Sequence, residues 1–127
     1  MYDIVNKVVI KMKDTGHSFG AYFKRAVSPL MVLSLLKDKP MYGYEISHLM
    51  TELSGGKLKI AILYPVLYRL EEQGYICEKE ITIENGRARS YYEITEAGLE
   101  YLNRTLPEFM ELSGAFMAVI RREEGSK

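Results

Sequence analysis

The apolar residues in positions 57–76 recur with the period of an α-helix. Four of them fall on one side of such a helix: Leu63, Val66, Leu67 and Leu70. Gly74 follows the last turn, where a residue with positive φ ends a helix at little cost. Pro65 is compatible only with a first turn, whose N–H groups have no helical partner, so we expect this helix to begin near Ala61.

A β-hairpin is predicted directly after this helix. Residues 75–83 are rich in β-branched and aromatic side chains, and residues 91–94 have the same character. Between them, Asn85-Gly86 is the dipeptide typical of a two-residue hairpin turn. The order of a helix, a hairpin and a basic turn at Arg87 is typical of a winged helix-turn-helix protein that binds DNA.

Three more helices are predicted upstream. Residues 2–13 form a short, β-branched segment with apolar residues at helical spacing. Ser28-Pro29 is a start signal, in which serine caps the helix and proline takes the first position, so a helix is expected over residues 29–37. The next helix covers residues 41–53, and its buried side is formed by Ile46, Leu49, Met50 and Leu53.

Residues 95–122 are predicted to form one long helix. Thr95 can cap it, and Glu96 suits the positive end of the helix dipole. A coiled-coil seam of about three heptads recurs along it at alternating spacings of three and four, formed by Leu99, Leu102, Leu106, Phe109, Ser113, Phe116 and Ile120. Pro107 should kink or split the helix. The helix either packs on its own domain or pairs with a second chain; we favour the second interpretation, because the upstream helices suffice to cover a short domain.

Composition fits one domain with appendages. The chain has 127 residues, of which 47% are apolar, and this is enough to bury a single core. Its 17 basic and 17 acidic residues exclude a uniformly positive surface but leave room for a local basic patch that binds nucleic acid. A single cysteine, Cys77, excludes an internal disulfide. No apolar run approaches the ~20 residues of a membrane span, and no secretion signal is recognisable, so we expect a cytoplasmic protein.

No enzyme site is recognisable in the sequence. There is no nucleophile–base pair, phosphate-cradling glycine loop or carboxylate cluster, and His17 and His48 have no metal-ligand partners at ordinary spacing. We therefore predict a protein that is not an enzyme and binds no metal or cofactor. Cys77 is interpreted as a small buried residue, with a redox sensor as the alternative. The tyrosines and methionines are interpreted as core and interface residues that could also line an effector pocket.

Three motifs, in order across residues 30–102, resemble the PadR family of bacterial transcriptional regulators. They are YGYEI at residues 42–46, LYPVL with RLE and glycine at residues 63–74, and RSYYEITEAG at residues 89–98. The resemblance implies a winged-helix DNA-binding domain followed by a dimerising helix, and two-fold symmetric binding to a palindromic operator. Most members are repressors, and some are released from DNA by small aromatic or other hydrophobic effectors.

With this resemblance, the expected fold is mainly α with a small β-hairpin. Residues 1–27 form an N-terminal helical extension, residues 28–95 the winged helix, and residues 96–122 the dimerisation helix. Dimer contacts are assigned to the apolar seam residues Leu99, Leu102, Leu106, Phe109, Phe116 and Ile120. The expected partners are double-stranded DNA, a second copy of the chain and, in effector-released members, a small hydrophobic molecule; no membrane is involved.

The candidate DNA contacts lie on the third helix, before it and in the wing: Lys57, Lys59, Ile62, Tyr64, Tyr68, Arg69, Arg87 and Arg89. Opposite the buried stripe, the third helix presents Ala61, Pro65, Tyr68, Arg69 and Glu72. Tyr68 is favoured for a base or backbone contact, whereas Arg69 could contact a base or pair with an acid one turn away. Glu72 is expected past the contact zone. The two wing arginines are placed at the wing tip, as phosphate or minor-groove contacts or, alternatively, as solvated turn residues.

The start of the third helix departs from the resembled family. Members usually have serine and Gly-Ser or Gly-Thr there, where this chain has Lys59, Ala61 and Ile62. The missing hydroxyls would have capped the helix and touched phosphate, a contact that Lys59 could replace in part. A second hypothesis therefore stays open: a winged helix that binds a protein or an effector without reading the DNA groove.

Overall fold

The structure is a computed structural model that describes residues 18–61 and 63–122. The helix predicted over residues 2–13, together with His17 and Ile62, lies outside the described residues. The described elements are, in chain order, α1 (Phe19–Leu36), β1 (Met41–Tyr42), α2 (Gly43–Leu53), α3 (Tyr64–Glu72), β2 (Ile76–Glu84), β3 (Arg87–Ile94) and α4 (Glu96–Ile120). The mainly helical fold with a small antiparallel sheet confirms the predicted fold class. None of the described helices is long and apolar enough to cross a bilayer.

Helix α1 begins at Phe19, so the start predicted at Ser28-Pro29 was wrong. Ser18 is the N-cap, and its side chain accepts a hydrogen bond from the Ala21 N–H at 3.2 Å. Pro29 lies inside the helix and cannot donate to the Arg25 carbonyl. The buried Ser28 hydroxyl donates to that carbonyl instead, at 3.4 Å. The serine thus compensates for the proline, and the boundary drawn between residues 27 and 28 falls within a continuous helix.

A short strand precedes α2, where the sequence pattern had predicted helix throughout. Met41 pairs with Tyr92 and Tyr42 with Tyr91, which places β1 beside β3 in a sheet of order β1-β3-β2. The Glu45 carboxylate accepts a hydrogen bond from the Tyr42 N–H at 3.2 Å, at the start of α2. Leu53, predicted on the buried side of α2, is 72% exposed because it ends the helix at the edge of a groove between α1 and α4.

Helix α3 begins at Tyr64, three residues after the expected start at Ala61, with Pro65 in its first turn. Its end is a Schellman motif: the Tyr75 N–H donates to the Leu70 carbonyl and the Gly74 N–H to the Glu71 carbonyl, both at 3.0 Å. Gly74 has a φ of +80°, which confirms the predicted stop.

The hairpin turns where predicted, at Asn85 (φ +52°) and Gly86 (φ +79°). Strand β3 already begins at Arg87, which pairs with Glu84, rather than at the predicted residue 91. The earlier start follows from the tight turn, because both arms of a two-residue hairpin can pair up to the turn itself. A register shift between Glu78 and Ile81 in β2 was not predicted.

The core lies between α1, α2, α3 and the sheet and is closed by α4. It consists of Val32, Leu33, Leu36, Met41, Ile46, Met50, Leu63, Leu67, Leu70, Ile76 and Leu102. Thr95 joins α4 to this core, because its hydroxyl accepts from the Gly98 N–H at 3.0 Å and donates to the Gly74 carbonyl at 2.6 Å. The predicted Thr95 cap is confirmed, and α4 continues through Pro107 without being split.

Candidate nucleic-acid interface

Helix α3 presents one face to solvent while its other face is fixed in the core. Leu67 and Leu70 are buried, whereas Tyr64 and Tyr68 are each 63% exposed. Pro65, Arg69 and Glu72 are also exposed, as is Ala61 ahead of the helix. The exposed side of α3 is therefore the one that the helical periodicity selected as the DNA-facing side.

Tyr68 is engaged within its own helix. Its hydroxyl donates to the Glu72 carboxylate at 3.2 Å, one turn further on. This hydrogen bond, together with the negative charge of Glu72, raises the pKa of Tyr68 above its ordinary value. The Tyr68 phenol is thus a neutral hydrogen-bonding group near neutral pH. The Glu72 carboxylate lies beside it, although Tyr68 is the residue favoured for DNA contact. Glu72, which was expected past the contact zone, thus lies within hydrogen-bond distance of that residue.

Tyr64 lies against the first residue of α2. A Cβ on Gly43 would lie 2.6 Å from the Tyr64 hydroxyl oxygen and 2.9 Å from its Cζ atom. The missing side chain at Gly43 therefore leaves the space that the Tyr64 ring fills. The two residues belong to separate sequence motifs, and only the fold shows that Gly43 makes room for Tyr64.

The wing arginines occupy different places. Arg87 is the first residue of β3, beside the turn, whereas Arg89 lies two residues along the strand, paired with Thr82. Arg89 is half-buried, and its guanidinium carbon lies 4.8 Å from the centre of the Tyr42 ring. Arg89 is thus held by a cation–π contact at the start of α2 and not at the wing tip, where the sequence had placed it.

The Tyr42 ring that holds Arg89 is itself packed. It lies edge-on to the Tyr91 ring at a centroid distance of 5.0 Å, across the β1–β3 pairing. The function of Tyr42 as a support for a wing arginine was missed in the sequence. Its place in the YGYEI motif was the only signal.

The structure brings two of the predicted basic residues together. Lys59 and Arg69 line one groove of about 510 Å³ between α3 and the beginning of α1, and Lys24 and Arg25 line the same groove. Two roles were considered for Arg69, a base contact and an ion pair with an acid one turn away. No carboxylate of the described residues lies within 4 Å of its guanidinium, so that ion pair does not form. Lys57 is exposed in the preceding turn and does not line this groove.

Two further candidate residues of the sequence are placed on the surface. Cys77, interpreted as buried, is exposed, because its neighbour Ile76 takes the inward position of β2 and alternate residues point to opposite faces. His48 is an exposed helix-face residue, 3.6 Å from the Glu52 carboxylate. Within residues 18–61 and 63–122, no cluster of three histidine, cysteine or acidic side chains could hold a metal ion.

Comparisons with known proteins agree with this geometry. Residues 32–104 match the model of the transcriptional regulator PadR-like family. A transcriptional regulator of Mycobacterium tuberculosis is 33% identical over 93 residues, which cover 72% of this chain and 83% of the relative.

Two solved structures are similar over most of their length. A PadR family transcriptional regulator from Eggerthella lenta has a TM-score of 0.69 and 26% identity, over 93% of both chains. A transcriptional regulator from Clostridium thermocellum has a TM-score of 0.67 and 31% identity, over 72% of this chain and 91% of its own. Since the family model spans more than half of the sequence, the chain belongs to the PadR-like family of transcriptional regulators and is a DNA-binding regulator.

Proposed function

We propose that the protein is a repressor that binds a palindromic operator as a homodimer, with α3 and the β2–β3 wing of each protomer contacting one half-site. The observation that carries this proposal is the exposed face of α3, where Tyr64, Tyr68 and Arg69 project from a helix whose other side is fixed in the core. A helix anchored in this way can hold its exposed side chains in register with base edges.

The experiment is a fluorescence anisotropy titration with duplexes from the upstream region of the protein's own gene, where such regulators often bind. We expect saturable binding at about 50 mM salt that weakens steeply as salt rises, because phosphate contacts release counterions. Absence of saturable binding to every such duplex at low salt would contradict the DNA-binding mode.

The homodimer is supported by apolar surface on α4 that its own domain leaves uncovered. Of the predicted seam, Leu106, Phe116 and Ile120 are exposed, and so are the flanking Met110, Leu112 and Val119. Leu102 differs from the prediction, because it is fully buried in the core of its own chain and fixes α4 to its domain. The proposed contact surface is therefore the C-terminal part of α4, beyond Leu102. Contiguous apolar surface of this kind is typical of protein–protein contacts.

A groove beside α4 offers a place for the partner's helix. It has a volume of about 470 Å³ and lies between α1, the end of α2 and α4, with an almost entirely apolar lining that includes Phe23, Leu30, Leu53, Leu106 and Phe109. In a two-fold dimer, the exposed end of each α4 would fill the groove of the other protomer. In an effector-released repressor, a small hydrophobic molecule would compete with the partner's helix for this groove, whose size is typical of ligand sites.

The second candidate function is a winged helix that binds a protein partner. It is favoured by the start of α3, where Leu63 is the N-cap and makes no side-chain hydrogen bond, and where Ala61 is exposed. A helix start without a serine or threonine hydroxyl has less to offer a phosphate. The duplex titration separates the two functions, because a protein-binding module would not saturate with DNA.

Replacing Arg87 and Arg89 by alanine should weaken binding to all duplexes to a similar extent, because phosphate contacts carry no sequence information. The slope of log affinity against log salt should become shallower by roughly 0.9 for each phosphate that the variant no longer neutralises. The matched control replaces Lys37 and Lys39 by alanine, which removes the same charge just beyond the end of α1 and away from the proposed dimer contact. Equal slopes in the wing variant and the wild type would mean that the wing does not contact DNA.

Glu72→Gln should strengthen duplex binding roughly fivefold in affinity, because a carboxylate beside Tyr68 is removed and the phenol is released for DNA. The same variant should lower the pKa of Tyr68 towards its ordinary value, since the hydrogen bond to Glu72 is its main perturbation. NMR titration of the Tyr68 ring measures the second effect without DNA. A lowered pKa with unchanged affinity would place Glu72 and Tyr68 outside the contact zone.

A further inference from the structure

The beginning of α1 carries basic residues that the proposed α3 and wing contacts do not use. Lys24 and Arg25 lie in the second turn of α1 and line the groove of about 510 Å³ that they share with Lys59 and Arg69. These four cationic residues come from three separate parts of the sequence. They are the only charged residues among the described ones that line the groove.

This local excess of positive charge stands out against the whole chain. The protein has 17 basic and 17 acidic residues, so its formal net charge is zero. In the described part of the chain, no carboxylate lies within salt-bridge distance of Lys24, Lys59 or Arg69. The charges of Lys24, Lys59 and Arg69 line one groove with no carboxylate among its described lining residues, and an anionic partner would offset their mutual repulsion.

The shape of the groove favours a polymer over a small anion. Lys59, Arg69 and Arg25 are exposed and Lys24 is only half-buried, so no charged side chain there is enclosed as in a closed pocket for a single small ion. A nucleic-acid backbone suits such an open site, because each phosphate needs only partial neutralisation and adjacent phosphates add further contacts.

The groove is also continuous with the proposed DNA-binding face. Arg69 belongs both to the exposed side of α3 and to the groove lining, and Pro65 does so too. A DNA strand that passes Arg69 would meet Lys59 and then α1. The Ser18-capped first turn of α1 adds N–H groups and the positive end of an 18-residue helix at this edge of the groove.

We infer that the DNA interface extends onto α1, with Lys24 and Arg25 binding phosphates of the DNA backbone that flank the segment read by α3. This inference rests on the proposed DNA-binding mode and adds a second backbone contact to it. The groove would then determine how much of the duplex beyond each half-site contacts the protein. These added contacts would carry no base specificity.

The test compares the full-length wild type with the double variant Lys24→Gln, Arg25→Gln. Affinity is measured by fluorescence anisotropy from low to high salt, on a duplex cut at the edge of the α3 contact and on one extended at both ends. On the extended duplex, we expect the salt slope of the variant to be shallower by up to about 1.8 per protomer, or roughly 0.9 for each of two phosphates. On the short duplex, the two proteins should differ little.

Two controls isolate the role of the groove charges. Lys37→Gln, Lys39→Gln removes the same charge just beyond the other end of α1 and should leave the slope unchanged. Lys24→Arg, Arg25→Lys keeps the charge and should restore wild-type binding. Thermal unfolding of each variant shows whether the fold is intact. If the glutamines destabilise α1, the charge-retaining variant still shows whether binding depends on charge at these two positions.

The different failures are distinguishable. Equal slopes for the wild type and the glutamine variant on the extended duplex would overturn the inference and leave the α3 interface in place. If the wild type binds no duplex, the proposed function itself fails. If inorganic phosphate, followed by NMR, saturates the groove of the wild type but not of the variant while the DNA slopes stay equal, the groove is a small-anion site, which also overturns the inference.

Discussion

Gly98→Ala is expected to lower the free energy of unfolding by about 1–3 kcal/mol, the usual cost of overfilling a packed site. Gly98 is buried in the first turn of α4, and a Cβ there would collide with the backbone carbonyl oxygen of Tyr75 and lie 3.0 Å from Ile94 Cγ1. The Tyr75 carbonyl cannot easily move away, because it accepts a hydrogen bond from the Thr95 N–H at 3.0 Å. The Tyr75 N–H is also fixed, since it closes the Schellman motif at the end of α3.

The same helix provides the matched control. Gly114 lies in α4, and a Cβ added to it would have no neighbouring atom within 4 Å, so Gly114→Ala should keep or raise stability, by up to about 1 kcal/mol, through better helix propensity. Urea unfolding followed by circular dichroism measures both variants, at one fixed protein concentration because dimerisation would couple to stability. If the Gly98→Ala variant were as stable as the wild type, the junction between α3 and α4 would be able to accommodate a Cβ at residue 98, contrary to this prediction.

Elements with local signals were predictable from the sequence. The stop of α3 at Gly74, the turn at Asn85-Gly86 and the cap at Thr95 each depend on the conformation of a few adjacent residues, and all three are confirmed. The apolar stripe likewise identified the exposed face of α3. In each case the residue types themselves carry the conformational preference, so no knowledge of distant contacts is needed.

Elements that depend on distant partners were not predictable in this way. Strand β1 exists because Met41 and Tyr42 pair with Tyr92 and Tyr91 of β3, far along the chain. The Ser28-Pro29 signal was outweighed because the packing of α1 in the core favours one long helix, in which Ser28 satisfies the carbonyl that the proline leaves without a donor. Local propensity is a weak guide where tertiary contacts decide.

The candidate site likewise combines features that the local sequence predicts with features that depend on contacts between distant residues. Periodicity indicated which residues of α3 face outwards, but it could not place Lys24 and Arg25 beside Lys59, because that proximity arises from the packing of α1 against α3. It also could not reveal that Arg89 stacks on Tyr42, which requires the β1–β3 pairing. A positive surface in a chain of zero net charge is a property of the fold and not of the composition.

The largest effect on function is expected from charges placed in the proposed dimer contact of α4. Phe116 and Ile120 are 61% and 55% exposed in the single chain, so Phe116→Glu, Ile120→Glu should leave the protomer core intact. If these residues face a partner, burying two glutamates at the contact is prohibitive and the dimer dissociates. Light scattering at micromolar concentration should then give the 14.6 kDa chain mass, whereas the wild type is expected to give about twice that value.

Dissociation should also reduce operator affinity by about 10²–10⁴-fold, because two linked half-site contacts become one. The matched control, Ala115→Glu, Ala118→Glu, adds the same charge at exposed positions of α4 away from the seam and should change neither mass nor affinity. A seam variant that keeps twice the chain mass would contradict the α4 interface. A monomeric variant that still binds the operator with wild-type affinity would instead refute two-fold binding, since a single α3 and wing would then account for all of the affinity.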